Sequence, residues 1–462
     1  MFFMRFVPKA IQQTYRWDAR AAWLAGLYSG MTLPFFGVIA RRDLHASPFA
    51  ISLLISAPFL GHLLSMFVAW HMQNRPKQPY MYWLSLISRL PILFMAFAMT
   101  TPVFIGLVIA SQILSCFTSP AYASVMKDAY PDNYRGRLMG MVRIGMTMMA
   151  MVSGLYVGRL MESGLPRSWV LAVALAAALV IAHEIQRNVP RVLVAALVVL
   201  LGYLGAPWLA HALPYRLVFP VAGALGLLAA WMFNHIREAP LEAAGETRFK
   251  MQEGLMTLFK DRRFGLYSLG FFICGFGNLL PGPLMPLFQV DELHISNEWV
   301  GILAMVGAGT SAVFYGIWGR LMDRYSPLLT VILSFAMCGI APLIYAHAHS
   351  VPTLMFAAIA MGIGNPGIDL TWLNGVMYFT GREGIPRYAA MHTFLVGVRG
   401  LLAPFIGTWL LRSLTLRQCF LVAAVILGVG TLFMMVIVRY YLLPVQETGP
   451  SLRKKRTEVD LS

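Results

Sequence analysis

The sequence predicts an all-α protein that crosses a membrane many times. Its mean hydropathy is +0.67, and 58% of its 462 residues are hydrophobic while only 12% are charged. Such a composition is too apolar to cover a water-soluble globule, and long apolar runs recur along the whole chain. Peptide groups inside lipid must be paired within each span, so we expect these runs to be helices.

Apolar runs of about 20 residues, the length that a helix needs to cross a bilayer core, predict fourteen spans. Each run is bounded by charges, prolines or glycines, and the run near Ser168 is short. The predicted spans begin near Ala21, Phe49, Tyr80, Pro102, Leu138, Ser168, Val192, Leu217, Phe264, Trp299, Leu328, Pro352, Tyr388 and Gln418.

Basic residues lie mostly on one side of the predicted spans. Lysines and arginines number 36 against 20 acidic residues, and the tail carries the run Arg453–Arg456 on that same side. Positively charged loops stay in the cytoplasm, so we expect both termini to be cytoplasmic in a bacterial inner or plasma membrane. The same rule accounts for the net charge of +16 without nucleic acid as a partner.

The four cysteines indicate neither a disulfide scaffold nor a metal site. They lie singly inside apolar runs, without a CxxC pair or a His/Cys cluster of metal-ligand spacing. We therefore expect no cofactor and no bound metal. The cysteines are Cys116, Cys274, Cys338 and Cys419.

The two halves of the chain match at an offset of 249 to 250 residues. DLHAS at Asp43–Ser47 falls on ELHIS at Glu292–Ser296. Parallel repeats of six spans are one architecture of secondary transporters, so two pseudo-symmetric six-helix bundles are predicted. Further pairs, in order, are Pro34 with Pro283, Trp70 with Gly319, Pro102 with Pro352, Arg137 with Arg387 and Arg167 with Arg417.

The repeat also assigns the two extra spans to an inserted hairpin, because Arg167 then opens span six as Arg417 opens span twelve. In the alternative reading Tyr215 to Ile236 forms the sixth span, and twelve spans remain if the hairpin region is misread. The predicted domains are a cytoplasmic segment 1–20, a six-helix bundle 21–187, a transmembrane hairpin 188–236, a cytoplasmic linker 237–263, a second six-helix bundle 264–442 and a basic cytoplasmic tail 443–462.

The linker carries apolar side chains among lysines and arginines, including Phe249, Leu255, Leu258 and Phe259. This pattern is typical of a helix that lies in the membrane interface. A solvated linker fits the same residues, and the sequence leaves both readings open.

The loop after the second span of the second half contains Gly319, Asp323 and Arg324, followed by Ser326. This pattern resembles the GxxxD[RK]xG[RK] motif that the major facilitator superfamily carries after the second span of each half, with Ser326 in place of the second glycine. The stretch SPAYASVMKDAYPDNYRGRLMG from Ser119 is also similar to the family. The resemblance covers nearly the whole chain except the hairpin and implies two rocking six-helix bundles.

The resemblance also implies a cytoplasmic gate. Its acidic member would be Asp323, facing arginines near the start of span five, with the glycine allowing close approach of helix ends. In the first-half loop Asn74 replaces the aspartate, which predicts an asymmetric gate. The predicted gate residues are Gly319, Asp323, Arg324, Asn74, Arg75, Arg135, Arg137 and Arg143.

Charged residues within spans are costly, by at least about 2.5 kcal/mol on insertion scales, and are candidates for function. Arg399 lies near the middle of span eleven and could clamp an anion. Alternatively, backbone carbonyls or Asp369 could satisfy it as a structural residue. Asp369 of span ten could carry a proton, balance Arg399 or play a structural part. Four residues are expected to interrupt span ten and line a cavity: Gly362, Gly364, Pro366 and Gly367.

Four amides lie in spans four, seven and ten, which the resemblance places around the cavity: Gln112, Asn278, Asn365 and Asn374. Each is a candidate for substrate contact. His392 of span eleven could titrate, but a single histidine in a helix is more often packed. Basic groups outnumber acidic ones at mid-depth, which favours an anionic or carboxylate-bearing solute.

The sequence therefore predicts a secondary transporter that moves a small organic solute by alternating access, coupled to protons and surrounded by membrane lipids. Efflux of amphiphilic compounds and transport of siderophores or metal complexes remain open alternatives. A receptor or assembly factor that no longer cycles is another. A membrane-embedded enzyme lacks support, because no HxxxxD, HExxH, GxSxG or phosphate-cradling loop occurs.

Overall fold

The computed structural model describes residues 7, 11–72, 75–162, 214–236, 251–380 and 385–442. Every regular element in these ranges is helical. Twelve helical segments in them are long and apolar enough to cross a membrane. The predicted all-α membrane fold is thus confirmed.

The described residues form two compact units. Unit 1 contains the described residues up to 236 together with 285–312 and 349–355, and unit 2 contains 251–284, 313–348 and 356–442. In the first half the helices are α1 (Gln12–Thr32), α2 (Phe36–Arg42), α3 (Pro48–His71), α4 (Gln78–Leu93), α5 (Thr101–Ala129), α6 (Asp132–Glu162) and α7 (Tyr215–Met232).

In the second half they are α8 (Met251–Lys260), α9 (Arg262–Leu279), α10 (Leu284–Asp291), α11 (Asn297–Arg324), α12 (Pro327–His347), α13 (Leu354–Met377), α14 (Ile385–Leu410) and α15 (Leu416–Ile437). Short 3₁₀ turns lie at Leu33–Phe35, Phe94–Phe97, Phe233–His235 and Val351–Thr353, and a π turn at Val438–Leu442.

Unit 1 is organised around α1, which packs on α6 and α7, while α5 packs on α3 and α4. The contact of α1 with α6 depends on Gly26 and Gly30, because a Cβ at either glycine would overlap a backbone carbonyl of α6, at Met146 and Ala150 respectively. Small residues four apart let helix backbones approach closely in lipid, where no hydrophobic force drives helices together. The chain therefore holds this pair of spans by close packing.

Unit 2 is organised around α9, which packs on α14 and α15, and α12 also packs on α15. Its core contains Phe271, Phe335, Leu427 and Met434, all buried. The four cysteines of the chain are buried and free, one in unit 1 and three in unit 2. They serve as small apolar residues in helix packing.

The expected interruption of span ten is wrong, because α13 is an unbroken helix that contains Pro366. Gly364 and Gly367 instead let α12 approach, since a Cβ at either glycine would overlap backbone or hydroxyl atoms of Ser334. Trp318 donates its indole N–H to the carbonyl of Ile363 at 2.6 Å. This carbonyl belongs to the residue three positions before Pro366. The glycines of this span serve packing.

The turns at Asp43–Ser47 and Glu292–Ser296 have the same backbone conformation. His45 and His294 are the two described non-glycine residues with positive φ, at 51° and 48°. The hydrogen bonds match as well: the N–H of Ala46 reaches the carbonyl of Ala40 at 2.8 Å, and the N–H of Ile295 reaches that of Gln289 at 2.9 Å. The repeat seen in the sequence is thus also a repeat in structure.

Helix α7 makes a contact in unit 1 that has a counterpart in unit 2. Arg216 donates from Nε to the carbonyl of Ala96 at 2.8 Å, and Arg417 donates from Nη1 to the carbonyl of Ala346 at 3.1 Å. The two carbonyls are separated by 250 residues, the repeat offset. Arg216 therefore makes in the first half the contact that Arg417 makes at the start of α15.

This contact is the one that the alternative reading expects, with Tyr215 to Ile236 as the sixth span. The spans predicted near Ser168 and Val192 lie in residues 163–213, outside the described residues. The position of the inserted hairpin and the predicted domain boundaries therefore stay a prediction. Helix α1 already begins at Gln12, within the segment assigned to the cytoplasm.

The left-handed turns give the first testable prediction. Glycine adopts positive φ without the penalty that a Cβ causes, so we expect His45→Gly to stabilise the protein by about 1 kcal/mol. Valine is β-branched, and His45→Val should destabilise it by about 1–2 kcal/mol. Denaturant unfolding in mixed micelles measures both, with the same changes at His294 as the matched pair. If the glycine and valine variants changed the free energy of unfolding in the same direction, the left-handed conformation at these histidines would be contradicted.

Candidate functional site

The most unusual side chain of unit 2 is Arg399, in the middle of α14. It is only 6% exposed. Its Nη1 donates to the backbone carbonyl of Phe271, and its guanidinium lies 4.7 Å from the centre of that phenyl ring. Gly275 makes the space for it, because a Cβ there would overlap the guanidinium. A charged group is thus enclosed between α9 and α14.

Several polar atoms around Arg399 have no hydrogen-bond partner among the described residues. They are the Nε of Arg399 itself, both ring nitrogens of His392 and the hydroxyl of Tyr267. His392 is 2% exposed, and its ring centre lies 4.5 Å from that of Phe271 and 6.2 Å from that of Tyr267. Buried polar atoms are nearly always paired, so this cluster has unused capacity to bind a polar ligand or water.

Asp369 does not balance the charge of Arg399. Its carboxylate is exposed and accepts a hydrogen bond from the hydroxyl of Tyr315 at 2.7 Å. Neither residue forms a described ion pair with the other, and the contacts of Arg399 are with a carbonyl and a ring. The sequence offered two structural partners for Arg399, a backbone carbonyl or Asp369. In the structure Arg399 contacts the carbonyl of Phe271 and not Asp369.

The four amide candidates have different surroundings. Asn278 shares one face of α9 with Phe271 and Gly275, at i, i+4 and i+7, and its half-buried side chain has no described hydrogen bond. Asn365 accepts a weak bond from the thiol of Cys338 at 3.5 Å. Asn374 donates to the carbonyl of Leu370 at 2.6 Å.

Gln112, the fourth amide, lies on α5 in unit 1 and is half-buried with no described side-chain hydrogen bond. Asn278, by contrast, lies on the face of α9 that contacts Arg399, because it shares that face with Phe271 and Gly275. The amide groups of Asn278 and Gln112 keep their hydrogen-bonding capacity. No group of three or more His, Cys, Asp or Glu side chains in the described ranges is arranged to hold a metal ion.

The gate motif of the second half lies within the last two turns of α11 rather than in a loop. Asp323 and Arg324 are exposed, and Asp323 has no ion pair within the described part of unit 2. The guanidinium of Arg324 lies 5.5 Å from the ring centre of Tyr325. A Cβ at Gly319 would meet nothing within 4 Å.

The first-half gate residues are only partly described. Arg75 donates to the ring of His71 at 3.1 Å, whereas Asn74 lies outside the described residues. Arg135 and Arg137 lie in the first turns of α6, and their side chains are not among those described. Arg143 is exposed on the same helix, close enough to Tyr122 to act on it electrostatically. The cytoplasmic gate as a whole stays a prediction.

Sequence reasoning missed a buried carboxylate in unit 1. Asp18 of α1 is 1% exposed and accepts hydrogen bonds from the hydroxyls of Tyr130 at 2.7 Å and Tyr122 at 3.1 Å. Burial, together with the Asp18 carboxylate, raises the pKa of Tyr130 well above its usual range, so this hydroxyl stays protonated and donates. Its nearness to the basic N-terminal residues made Asp18 look like part of a solvated segment.

A second missed group joins the two halves of the sequence within unit 1. Arg41 binds Asp291 with two hydrogen bonds, Nε to Oδ1 and Nη2 to Oδ2, each 2.8 Å long. Arg159 binds Glu298 at 2.8 Å through its Nε. Arg41 and Asp291 are 250 residues apart, so they occupy nearly equivalent positions beside the repeated turn. Opposite charges at equivalent positions of a repeat are the signal that could have found this pair.

One comparison of the sequence with known proteins decides the family. The family model described as Major Facilitator Superfamily matches residues 20–190 and 267–461, well over half of the chain. The chain belongs to the major facilitator superfamily. The resemblance seen in the Gly319, Asp323 and Arg324 motif is thereby confirmed at the level of the family.

Among curated relatives, the Multidrug resistance protein MdtG of Dickeya zeae (strain Ech586) is 27% identical over 189 residues, which cover 39% of this chain and 45% of that protein. The uncharacterized MFS-type transporter YqjV of Bacillus subtilis (strain 168) is 23% identical over 154 residues, 33% of this chain and 37% of that protein. The chain thus aligns with less than half the length of these relatives.

Solved structures of other transporters share the fold. A bacterial homolog to the human lysosomal transporter Spinster has a TM-score of 0.64 and 16% identity, covering 94% of this chain and 98% of that chain. The nucleoside transporter NupG has a TM-score of 0.61 and 12% identity, covering 92% and 99%. These likenesses show the fold. The family match and the candidate spans identify the chain as an integral membrane protein of a transporter family, not an enzyme.

The two ion pairs of unit 1 give the second prediction. The side chains of Arg41 and Asp291 are 28% and 34% exposed, against 62% and 40% for Arg159 and Glu298. Double-mutant cycles with Arg41→Gln and Asp291→Asn should give a coupling free energy approaching about 1 kcal/mol, since the pair is bidentate and less exposed than Arg159 and Glu298.

The matched cycle with Arg159→Gln and Glu298→Gln should give only about 0–0.5 kcal/mol, because water and salt screen the more exposed pair. Unfolding in mixed micelles at low and high salt measures both. Equal couplings, or a larger one for Arg159 and Glu298, would contradict the ranking by exposure.

Proposed function

We propose that this chain is a secondary active transporter that carries a small organic anion by alternating access, with Arg399 as the anion-binding group and protons as the coupling ion. The observation that carries the proposal is the buried guanidinium of Arg399, which has no carboxylate partner among the described residues and keeps its Nε unpaired. Membership of a transporter superfamily supplies the transport class.

Electrostatics support an anionic solute. A buried charge is strongly disfavoured unless an opposite charge or several hydrogen bonds compensate its lost hydration. Arg399 has one carbonyl bond and a stacked ring, which compensate only in part. A carboxylate on the solute would supply the missing opposite charge, and the planar guanidinium suits bidentate binding of a carboxylate.

The surrounding groups support a solute with both polar and apolar parts. The hydroxyl of Tyr267 and the ring nitrogens of His392 could bind further oxygen or nitrogen atoms. Phe271 and Trp372 present aromatic surface, with the ring centre of Trp372 at 6.4 Å from that of His392. Ligand sites of this kind combine an apolar lining with a few polar anchors.

The third prediction concerns Arg399. In proteoliposomes loaded against a panel of organic acids such as lactate, succinate and benzoate, Arg399→Ala should lower kcat/KM of the transported acid about 100-fold or more, because a buried charge pair is lost. Arg399→Lys should lower it less, about tenfold, because lysine keeps the charge without the planar donor pair. Normal transport by both variants would refute the anion clamp.

Two further variants separate binding from misfolding. Gly275→Ala keeps the charge but displaces the guanidinium, so it should impair uptake in a protein that still elutes as a single species. Arg412→Gln, at an exposed arginine of unit 2, is the matched control and should transport normally. Binding of an acid by the wild type without flux would instead indicate the receptor that no longer cycles.

We propose Asp369 as the proton-carrying group, because it is an exposed carboxylate of span ten and accepts the hydroxyl of Tyr315 at its Oδ2. The fourth prediction follows. Asp369→Asn should abolish the stimulation of uptake by an imposed pH gradient while exchange of labelled for unlabelled solute continues, since the amide cannot take up a proton at these pH values. Glu292→Gln, at an exposed carboxylate of the turn Glu292–Ser296, is the control. An unaltered pH dependence in Asp369→Asn would remove this role.

A second candidate function is the efflux of amphiphilic compounds. The partial likeness to a protein named for multidrug resistance favours it. Methionine is abundant, at 29 residues, and adapts its shape to varied apolar ligands. Lower accumulation of lipophilic cations in cells that express the chain, unchanged by Arg399→Ala, would favour this function over organic-anion transport.

For the location in the cell we propose a bacterial inner membrane with both termini in the cytoplasm. The asymmetry of lysines and arginines across the predicted loops supports this orientation. The cytoplasmic gate residues would then lie at the same face as the basic tail.

A further inference from the structure

Unit 2 has a basic cleft whose lining residues are distinct from those around Arg399. It encloses about 530 Å³ where the end of α8, the start of α9 and the start of α14 meet. Four cationic side chains line it, Lys260, Arg262, Arg263 and Arg387, together with Asp261 and Tyr388. All four cations are exposed, and none forms an ion pair with a described residue.

The one carboxylate of the cleft is already engaged. Oδ1 of Asp261 accepts the backbone N–H groups of Arg263 and Phe264, each at 3.1 Å, and so caps α9. Oδ2 accepts the hydroxyl of Tyr388 at 2.8 Å. Asp261 therefore orders the cleft by joining α9 to α14 but leaves a formal excess of three positive charges, four cations against one carboxylate.

The cleft lies where a membrane surface is expected. Two candidate spans begin at it, Arg262–Asp291 and Arg387–Leu410. Beside it, on the short helix α8, Phe259 is 85% exposed and Met256 is exposed as well. Leu258 of the same helix packs on the core of unit 2. Exposed apolar side chains next to cations are typical of a helix in the lipid interface, the first of the two readings that the linker sequence left open.

We propose that this cleft binds the phosphate headgroup of an anionic phospholipid of the adjoining leaflet, with the acyl chains beside Phe259 and Met256. Arginine side chains bind phosphate oxygens through paired N–H groups, and basic pockets between spans hold phospholipid headgroups. A phospholipid would contact both the cations of the cleft and the apolar side chains beside it, whereas a free phosphate ion would contact only the cations. A lipid bound in the cleft thereby holds α8 at the membrane surface.

The test compares lipid binding by the purified full chain and by a charge-reduced variant. Fluorescent phosphatidylglycerol is titrated into protein in micelles, with fluorescent phosphatidylcholine as the zwitterionic probe. We expect R263Q/R387Q to bind phosphatidylglycerol about 30-fold more weakly than the wild type, since each cation near a membrane surface contributes about fivefold. R16Q/R439Q removes two exposed arginines elsewhere and should bind as the wild type does.

A third variant and a soluble probe identify the source of the phosphate. Phe259→Ser should weaken phosphatidylglycerol binding while leaving the four cations in place, because it removes the more exposed of the two apolar side chains beside the cleft. Inorganic phosphate is titrated as a competitor against the same fluorescent lipid. Equal affinity of R263Q/R387Q and the wild type for phosphatidylglycerol would overturn the proposal. Displacement of the lipid by inorganic phosphate at similar concentration, with no effect of Phe259→Ser, would overturn the assignment to a lipid.

Discussion

Peptide groups in a lipid core have no water to bind, and this constraint governs the rest of the structure. It requires helices throughout the spans, and it leaves close backbone packing as the main means of joining them. Gly26 and Gly30 on α1, and Gly364 and Gly367 on α13, follow from it directly. The same constraint makes Arg399 and Asp18 informative, because a buried charge in such surroundings persists only where the protein uses or compensates it.

Much of the fold could be predicted because its signals are local or periodic. Apolar runs predicted the spans, and the offset of 249 residues predicted two related halves, whose turns at His45 and His294 proved to share an unusual conformation. The sixth span was harder. Arg167 and Arg216 each precede an apolar run. Arg216 donates to the Ala96 carbonyl, whereas Arg167 lies outside the described residues, so the choice between the two readings stays a prediction.

The candidate site was harder to predict, since its properties arise from residues distant in sequence. Arg399 could be chosen by its depth in a span, but its carbonyl partner at Phe271 lies 128 residues away. The interruption of span ten failed for a similar reason. Glycines and a proline break an isolated helix, whereas here the neighbouring helix α12 occupies the space that the glycines leave. Asp18 was overlooked because its tyrosine partners lie on another span.

The burial of all four cysteines has a practical consequence for the study of this chain. Thiols enclosed by helix packing react slowly with water-soluble reagents, so the unmodified sequence already serves as a nearly silent background for maleimide labelling. A single cysteine placed at an exposed site in each unit would accept a fluorophore or spin label selectively. Distances between such labels could then be followed through a transport cycle without replacing any native cysteine.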